Sequence, residues 1–349
     1  MPIKWEPLDS SLQEENITLI LGKNILLKII EDPEKQMLLN ESVVKEFISI
    51  SNLCHDEVRS LIEELMEEEE RILSDGHFYA LYDIISRNII PRDIISDFLI
   101  VNDKKIAAVE AKKSKRSGKG GKFFEGAFKD TFRRYFLFGK VDEKFIQEKN
   151  KKLISLGSEI KERTGFDMLV PSNLLLCPDC KTILSIGEFK GNKKCHRCEK
   201  EIKRENAARI YVHKVREEIK EIWKNNLWFE AYVARLLRKL DCKTWTSAHV
   251  MGASGILHEV DVLAIKDGTV LVCECKTGKV SRNDVFNFCT KAGDLKAHIS
   301  ILALIGELPD PETREFVKKN PAIIRIENMG KMKEDEILEF LTTKLSIKG

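Results

Sequence analysis

In the run DVLAIKDGTVLVCECKTG (261–278), Asp261, Glu274 and Lys276 have types and spacing that can serve phosphate-ester chemistry. Side chains alternate along a strand, so Glu274 and Lys276 share one face and Cys273 and Cys275 take the other. A turn at Asp267-Gly268 folds the run on itself and carries Asp261, thirteen positions earlier, towards Glu274. Two carboxylates and an ammonium group at one end of an apolar hairpin are costly unless they bind something or pair with each other. A structural ion pair is one reading and a reactive site is the other. In LWFEAYVARLLRKL (227–240), Glu230 falls inside the stripe of Leu227, Val233, Ala234 and Leu237, so it faces the sheet and supplies a third acid. The set suits metal-assisted phosphodiester hydrolysis. Carboxylate oxygens hold one or two Mg²⁺ ions, the metal activates water, and the lysine stabilises charge that develops in the transition state.

A second chemistry comes from CPDC (177–180) and CHRC (195–198), separated by fourteen residues. Cys177, Cys180, Cys195 and Cys198 form two knuckles that together can close a tetrahedral Zn²⁺ site, structural because all four positions are filled by protein. His196, inside the second knuckle, reads as exposed and not as a ligand. Lysines and arginines around this ribbon suit contact with nucleic acid, although a ribbon can equally bind protein or join domains. Cys273 and Cys275, turned away from the carboxylates, read as small apolar packing groups.

The elements that must position these residues can be read along the chain. With 349 residues, 43% hydrophobic and 33% charged, there is length for two or three domains with their own cores. No run approaches the roughly 18 apolar residues that span a bilayer, and MPIKWEPLDSS lacks the features of a signal peptide. A cytoplasmic protein with no membrane partner is expected, and nine cysteines, an odd number, argue against a disulfide framework. The expected organisation is an N-terminal α/β domain at 1–165, the zinc ribbon at 173–202, a helical linker at 203–226 and a C-terminal α/β domain at 227–349. ITLILGKNILLKII opens the first domain as a strand pair, and the apolar strands of the last indicate a sheet covered on both faces.

Asp261 followed by Glu274-Cys275-Lys276, behind a helix bearing Glu230, resembles the PD-(D/E)xK nuclease superfamily. DVLAIKDGTVLVCECKTGKV is most similar to Mrr-type restriction endonuclease domains and archaeal Holliday-junction resolvases, over about residues 225–330. That resemblance implies a restriction-endonuclease-like mixed sheet flanked by helices. It implies Mg²⁺ held by Asp261 and Glu274 with the Cys275 carbonyl, Lys276 as the catalytic lysine, and Glu230 as an accessory acid, with Glu259 able to contribute. The implied activity is Mg²⁺-dependent endonucleolytic cleavage of DNA, double-stranded by this reading, in restriction-like defence or repair. Cutting both strands with one site per chain calls for a homodimer, whereas two active cores in one chain could do so alone. The pattern departs from the family's in having no proline before Asp261. The alternative is a non-catalytic DNA- or protein-binding factor that keeps the fold.

An offset of 164 residues brings up a second copy: DFLIVNDKKIAAVEAKKS aligns without a gap, Asp97 on Asp261, Glu110 on Glu274 and Lys112 on Lys276. This predicts a second nuclease-like core near the N-terminus, with the ribbon between the two. Lys115, Arg116, Lys119 and Lys122 in the loop that follows would track a phosphate backbone, or else only aid solubility. In the acidic run Glu67–Glu70, Glu69 lies near the apolar stripe, but the run as a whole reads as a solvated face.

Overall fold

The computed structural model describes residues 17–21, 26–86, 143–195, 198–308, 311–319 and 323–348. Asp97, Glu110 and Lys112, the basic residues Lys115, Arg116, Lys119 and Lys122, and His196 lie outside the described residues. In chain order the first elements are β1 (Ile17–Leu21), β2 (Leu26–Glu31), α1 (Pro33–Asn40), α2 (Ser42–Ile48), α3 (Asp56–Ser86) and α4 (Glu143–Thr164). Next come β3 (Leu169–Leu176), β4 (Ile183–Ile186), β5 (Asn192–Lys194), β6 (Glu201–Lys203), β7 (Ala208–Val215) and α5 (Glu217–Lys224). The remainder is α6 (Leu227–Lys239), β8 (Lys243–Met251), β9 (Leu257–Lys266), β10 (Thr269–Lys276), α7 (Arg282–Asp294), β11 (Ile299–Leu304), α8 (Pro311–Lys319), β12 (Ile323–Ile326) and α9 (Glu334–Lys348). Among the described residues, no helix is long and apolar enough to cross a membrane.

Among the described residues, those within 1–60, 163–166 and 217–349 make one unit, and those within 61–162 and 167–216 make another. The first is a mixed α/β unit built on a seven-stranded sheet, ordered β1-β2-β8-β9-β10-β11-β12. Asp267 and Gly268 close the β9–β10 hairpin at φ 49° and 74°, the positive values that a tight two-residue turn needs. Pairing is antiparallel from β1 to β10 and parallel from β10 through β11 to β12. The parallel steps need crossovers, and α7 and α8 supply them. β11 is buried along its whole length, as a strand covered on both faces must be.

The strand pair β1–β2, expected in a domain ending at 165, belongs to this sheet instead, with Ile29 opposite Val250 and Glu31 opposite Ala248. A lone two-stranded hairpin is at best marginally stable in water. Docked on β8, Leu27 and Ile29 join Val250, Val260, Val272, Phe288 and Leu302 in one apolar core.

In the second unit β3 is the centre of a three-stranded sheet, β4-β3-β7, and β5 pairs with β6. Residues 208–215, read above as part of a helical linker, form the strand β7, paired with β3 from Leu169↔Val215 to Leu176↔Ala208. Its alternation explains this: Ile210 and Val212 are buried while Arg209 and Tyr211 are exposed. Helix side chains satisfy part of β7. Asn150 Oδ1 accepts from the His213 N–H at 2.7 Å and Glu69 Oε1 from the Val215 N–H at 3.0 Å. Glu68 is fully buried and pairs with Lys149 at 3.4 Å and Lys152 at 2.8 Å. The acidic run therefore has a buried side at Glu68 and Glu69, which corrects its reading as a solvated face.

Candidate active site and cysteine cluster

β9 and β10 stay paired from Thr269↔Lys266 to Cys273↔Val262, while β10 continues beside β11 as far as Lys276↔Leu304. The next step of the β9–β10 register sets Asp261 opposite Glu274. There the Asp261 side chain replaces a main-chain acceptor, and its Oδ2 receives the Cys275 N–H at 2.8 Å. On the other side of β9, Thr246↔Val262 and Ala248↔Val260 bracket Ser247 opposite Asp261. Ser247 has φ 50°, a left-handed backbone that is uncommon for a residue with a Cβ, and its hydroxyl donates to Glu230 Oε2. Glu230 lies in the first turn of α6. Thr277 Oγ1, just past β10, donates to Asn226 Oδ1 at 2.7 Å and ties down the start of that helix.

Glu230, Asp261, Glu274 and Lys276 therefore converge on the stretch where β9 and β10 part. Lys276 Nζ lies 2.7 Å from Glu274 Oε1. Three participants were not singled out from sequence. Lys291 on α7 reaches Glu274 Oε2 at 2.7 Å and the Glu259 carbonyl at 2.8 Å. Lys35 on α1 pairs with Glu259 at 2.7 Å, and the charges of both act on Glu230. Ser247 is the third. The one local signal for Lys291 is its place beside the buried residues Val285, Phe288 and Ala292 of α7. For Lys35 and Ser247 we find no local signal.

The electrostatics follow from crowding acids in a partly dry place. Burial, then the charge of Asp261, pushes the Glu230 carboxyl up to about 8. Burial and the charge of Glu274 push Asp261 up to about 6, against the pull of the Cys275 N–H. Burial alone would lower Lys276, but its hydrogen bond to Glu274 and the surrounding acids raise it. Cys273 and Cys275 are buried and their thiols are pushed well up by desolvation, which leaves them inert packing groups.

The cysteines at 177, 180, 195 and 198 have all four sulfurs within 4.8 Å of one another, close enough to hold a metal ion such as zinc. Cys177 and Cys198 sulfurs are 3.6 Å apart and those of Cys180 and Cys195 3.5 Å. Zinc–sulfur bonds of about 2.3 Å at tetrahedral angles need sulfurs slightly under 4 Å apart. The two knuckles are built alike. Lys181 and Glu199, each just after a knuckle, have φ 57° and 59° and return their N–H groups to the Cys177 and Cys195 carbonyls. Leu175, Leu184 and Ile202 pack against the cysteines. Glu230, Asp261 and Glu274 do not form a comparably tight donor group among the described residues.

No family model matches the chain, and no curated protein does. Among solved structures, the chain is similar to a protein of unknown function, AF1548, at 20% identity and TM-score 0.28, over 34% of this chain and 67% of that one. Can2 from Sulfobacillus thermosulfidooxidans, in complex with cyclic tetra-adenylate, matches at 17% identity and TM-score 0.30, over 45% of this chain and 42% of that one. VC1899 from Vibrio cholerae matches at 14% identity and TM-score 0.30, over 63% and 49%. The chain thus spans less than half the length of the last two.

Proposed function

We propose that the chain is a metal-dependent endonuclease of the PD-(D/E)xK type that hydrolyses DNA phosphodiester bonds. The observation that carries this reading is the parting of β9 and β10 at Asp261 and Glu274, with Lys276 on Glu274, and with Glu230 near Asp261 and bonded to Ser247. The donor chemistry fits a hard cation: two carboxylates and the Cys275 carbonyl are oxygen ligands of the kind Mg²⁺ takes, and Asp261, raised by burial first and by the Glu274 charge second, lies beside a negative charge that a cation would offset. Asp261 and Glu274 would hold the ion, which supplies a more acidic bound water and neutralises phosphate charge. Lys276 carries its charge where an attacked phosphate gains negative charge. Glu230, hydrogen-bonded to Ser247 and close enough to Asp261 to feel its charge, would be the accessory acid of the site. The cysteine cluster would bind zinc as a structural site.

One observation favours a second reading, a binding factor without catalysis: Lys276 and Lys291 together satisfy both oxygens of Glu274. Cleavage of linear, branched and single-stranded DNA with Mg²⁺, comparing wild type with Lys276→Ala and Asp261→Asn, decides between them. Activity in the wild type alone supports the nuclease; equal activity, or none, in all three rejects it.

A further inference from the structure

Glu274 lies between two ammonium groups, Lys276 from its own strand and Lys291 from α7, each 2.7 Å from a different carboxylate oxygen. They are not equivalent. Lys291 has a second acceptor, the Glu259 carbonyl at 2.8 Å, and its side chain is 17% exposed against 33% for Lys276. Its helix is also fixed at both ends. Ser281 and Asp284 form a reciprocal cap at the start of α7. At the end, three residues beyond Lys291, Asp294 accepts from the Ser254 N–H at 2.9 Å and the Ser254 hydroxyl at 2.7 Å, and bonds His258 Nε2 at 2.7 Å. These contacts bind α7 to the β8–β9 turn and to β9, the strand that carries Asp261.

We propose that Lys291 is a positioning residue of the cation site, which holds Glu274 by Oε2 in both the metal-free and metal-loaded states, while Lys276 is the group that gives way. The proposal rests on the nuclease reading and assigns distinct tasks to its two lysines. Lys276 on Oε1 keeps the carboxylate neutralised until a cation arrives. On withdrawing from Oε1 it becomes free to meet a phosphate oxygen or the attacking water. Lys291 keeps the same carboxylate in one rotamer and ties it to β9 through the Glu259 carbonyl. The general expectation for a lysine beside a cation site is the reverse, because removing a positive charge strengthens cation binding. The direction of the effect therefore separates positioning from competition.

The test is calorimetric titration of the full-length, zinc-loaded protein with Mg²⁺ alone, without nucleic acid, for wild type, Lys291→Met, Lys291→Arg and Lys276→Met. Loss of partners that orient a ligand costs about 10–100-fold in metal affinity. Lys291→Met is expected to weaken Mg²⁺ binding by that range despite losing a positive charge. Lys291→Arg, which can reach both acceptors, should recover most of it, and Lys276→Met should bind as tightly as wild type or tighter. Recovery in the arginine variant also separates positioning from misfolding. Wild-type binding with equal or tighter binding in Lys291→Met overturns the proposal alone. Absence of Mg²⁺ binding in the wild type overturns both the proposal and the nuclease reading.

Discussion

Cys275 donates its main-chain N–H to the side chain of Asp261, 2.8 Å away on the neighbouring strand. The residue between Glu274 and Lys276 thus contributes through its backbone, and its thiol is left to the core. A side chain ends the β9–β10 ladder here, so the sheet opens without leaving that N–H unpaired.

If the chain is the nuclease proposed above, removing Lys276 should slow cleavage strongly with little loss of fold. Lys276→Ala is expected to slow hydrolysis on the order of 10²–10³-fold, the scale for losing one transition-state stabiliser. Single-turnover rates at saturating Mg²⁺ measure this, with Lys112→Ala alongside to report on the repeated motif. A rate in Lys276→Ala within threefold or so of wild type would remove the lysine from the chemistry.

The acids give the metal-free protein a definite pH response. Glu230 is raised to about 8 and Asp261 to about 6, by burial first. The folded state therefore holds these protons more tightly than the unfolded chain. Their stabilising contribution is complete below about pH 4 and is lost as pH rises through about 6 and then about 8. Urea midpoints at pH 5, 7 and 9 without added divalent cation should fall stepwise. Glu230→Gln should flatten the upper step; an unchanged decline in that variant would contradict the assignment.

Elemental analysis should find one zinc per chain, lost in Cys195→Ser. The cysteines form part of the small core with Leu175, Leu184 and Ile202, and structural zinc contributes about 10–16 kcal/mol of apparent binding free energy in comparable small sites. Chelation should accordingly abolish hydrogen-exchange protection in β5 and β6. Retained protection in a zinc-free sample would show that the ribbon stands without metal.

Glu69→Ala should destabilise the second unit by about 1–3 kcal/mol, because the Val215 N–H loses an acceptor in a buried place. Glu69→Gln, which keeps an oxygen there, should cost less. Denaturant midpoints of the two variants test this, and equal losses would point to the negative charge as the contribution.

The part of the site that was legible in the sequence is the local part. Strand alternation and the Asp267-Gly268 turn place Asp261, Glu274 and Lys276 together, and the α6 stripe carries Glu230 inward. Lys291 and Lys35 were not legible because their roles depend on partners set by tertiary packing; Lys35 and Glu259 are 224 residues apart in sequence. Ser247 lies in an ordinary strand sequence, and its turned backbone depends on neighbours. The same limit explains β1–β2, whose hairpin pattern is local but whose place beside β8 is not. It also explains Glu68 and Glu69, whose partners arrive from α4 and β7.

Because β2 lies against β8, the sheet cannot be completed in the order in which the chain is made. Translation at about 5–20 residues per second puts on the order of ten to forty seconds between the two strands. During that interval the nascent hairpin displays Leu27 and Ile29, side chains that are wholly covered at the end. Closure of this sheet is therefore a late event, joining the earliest described strands to some of the last, and a ribosome-bound intermediate of this protein should be a good client for a chaperone that grips exposed aliphatic segments.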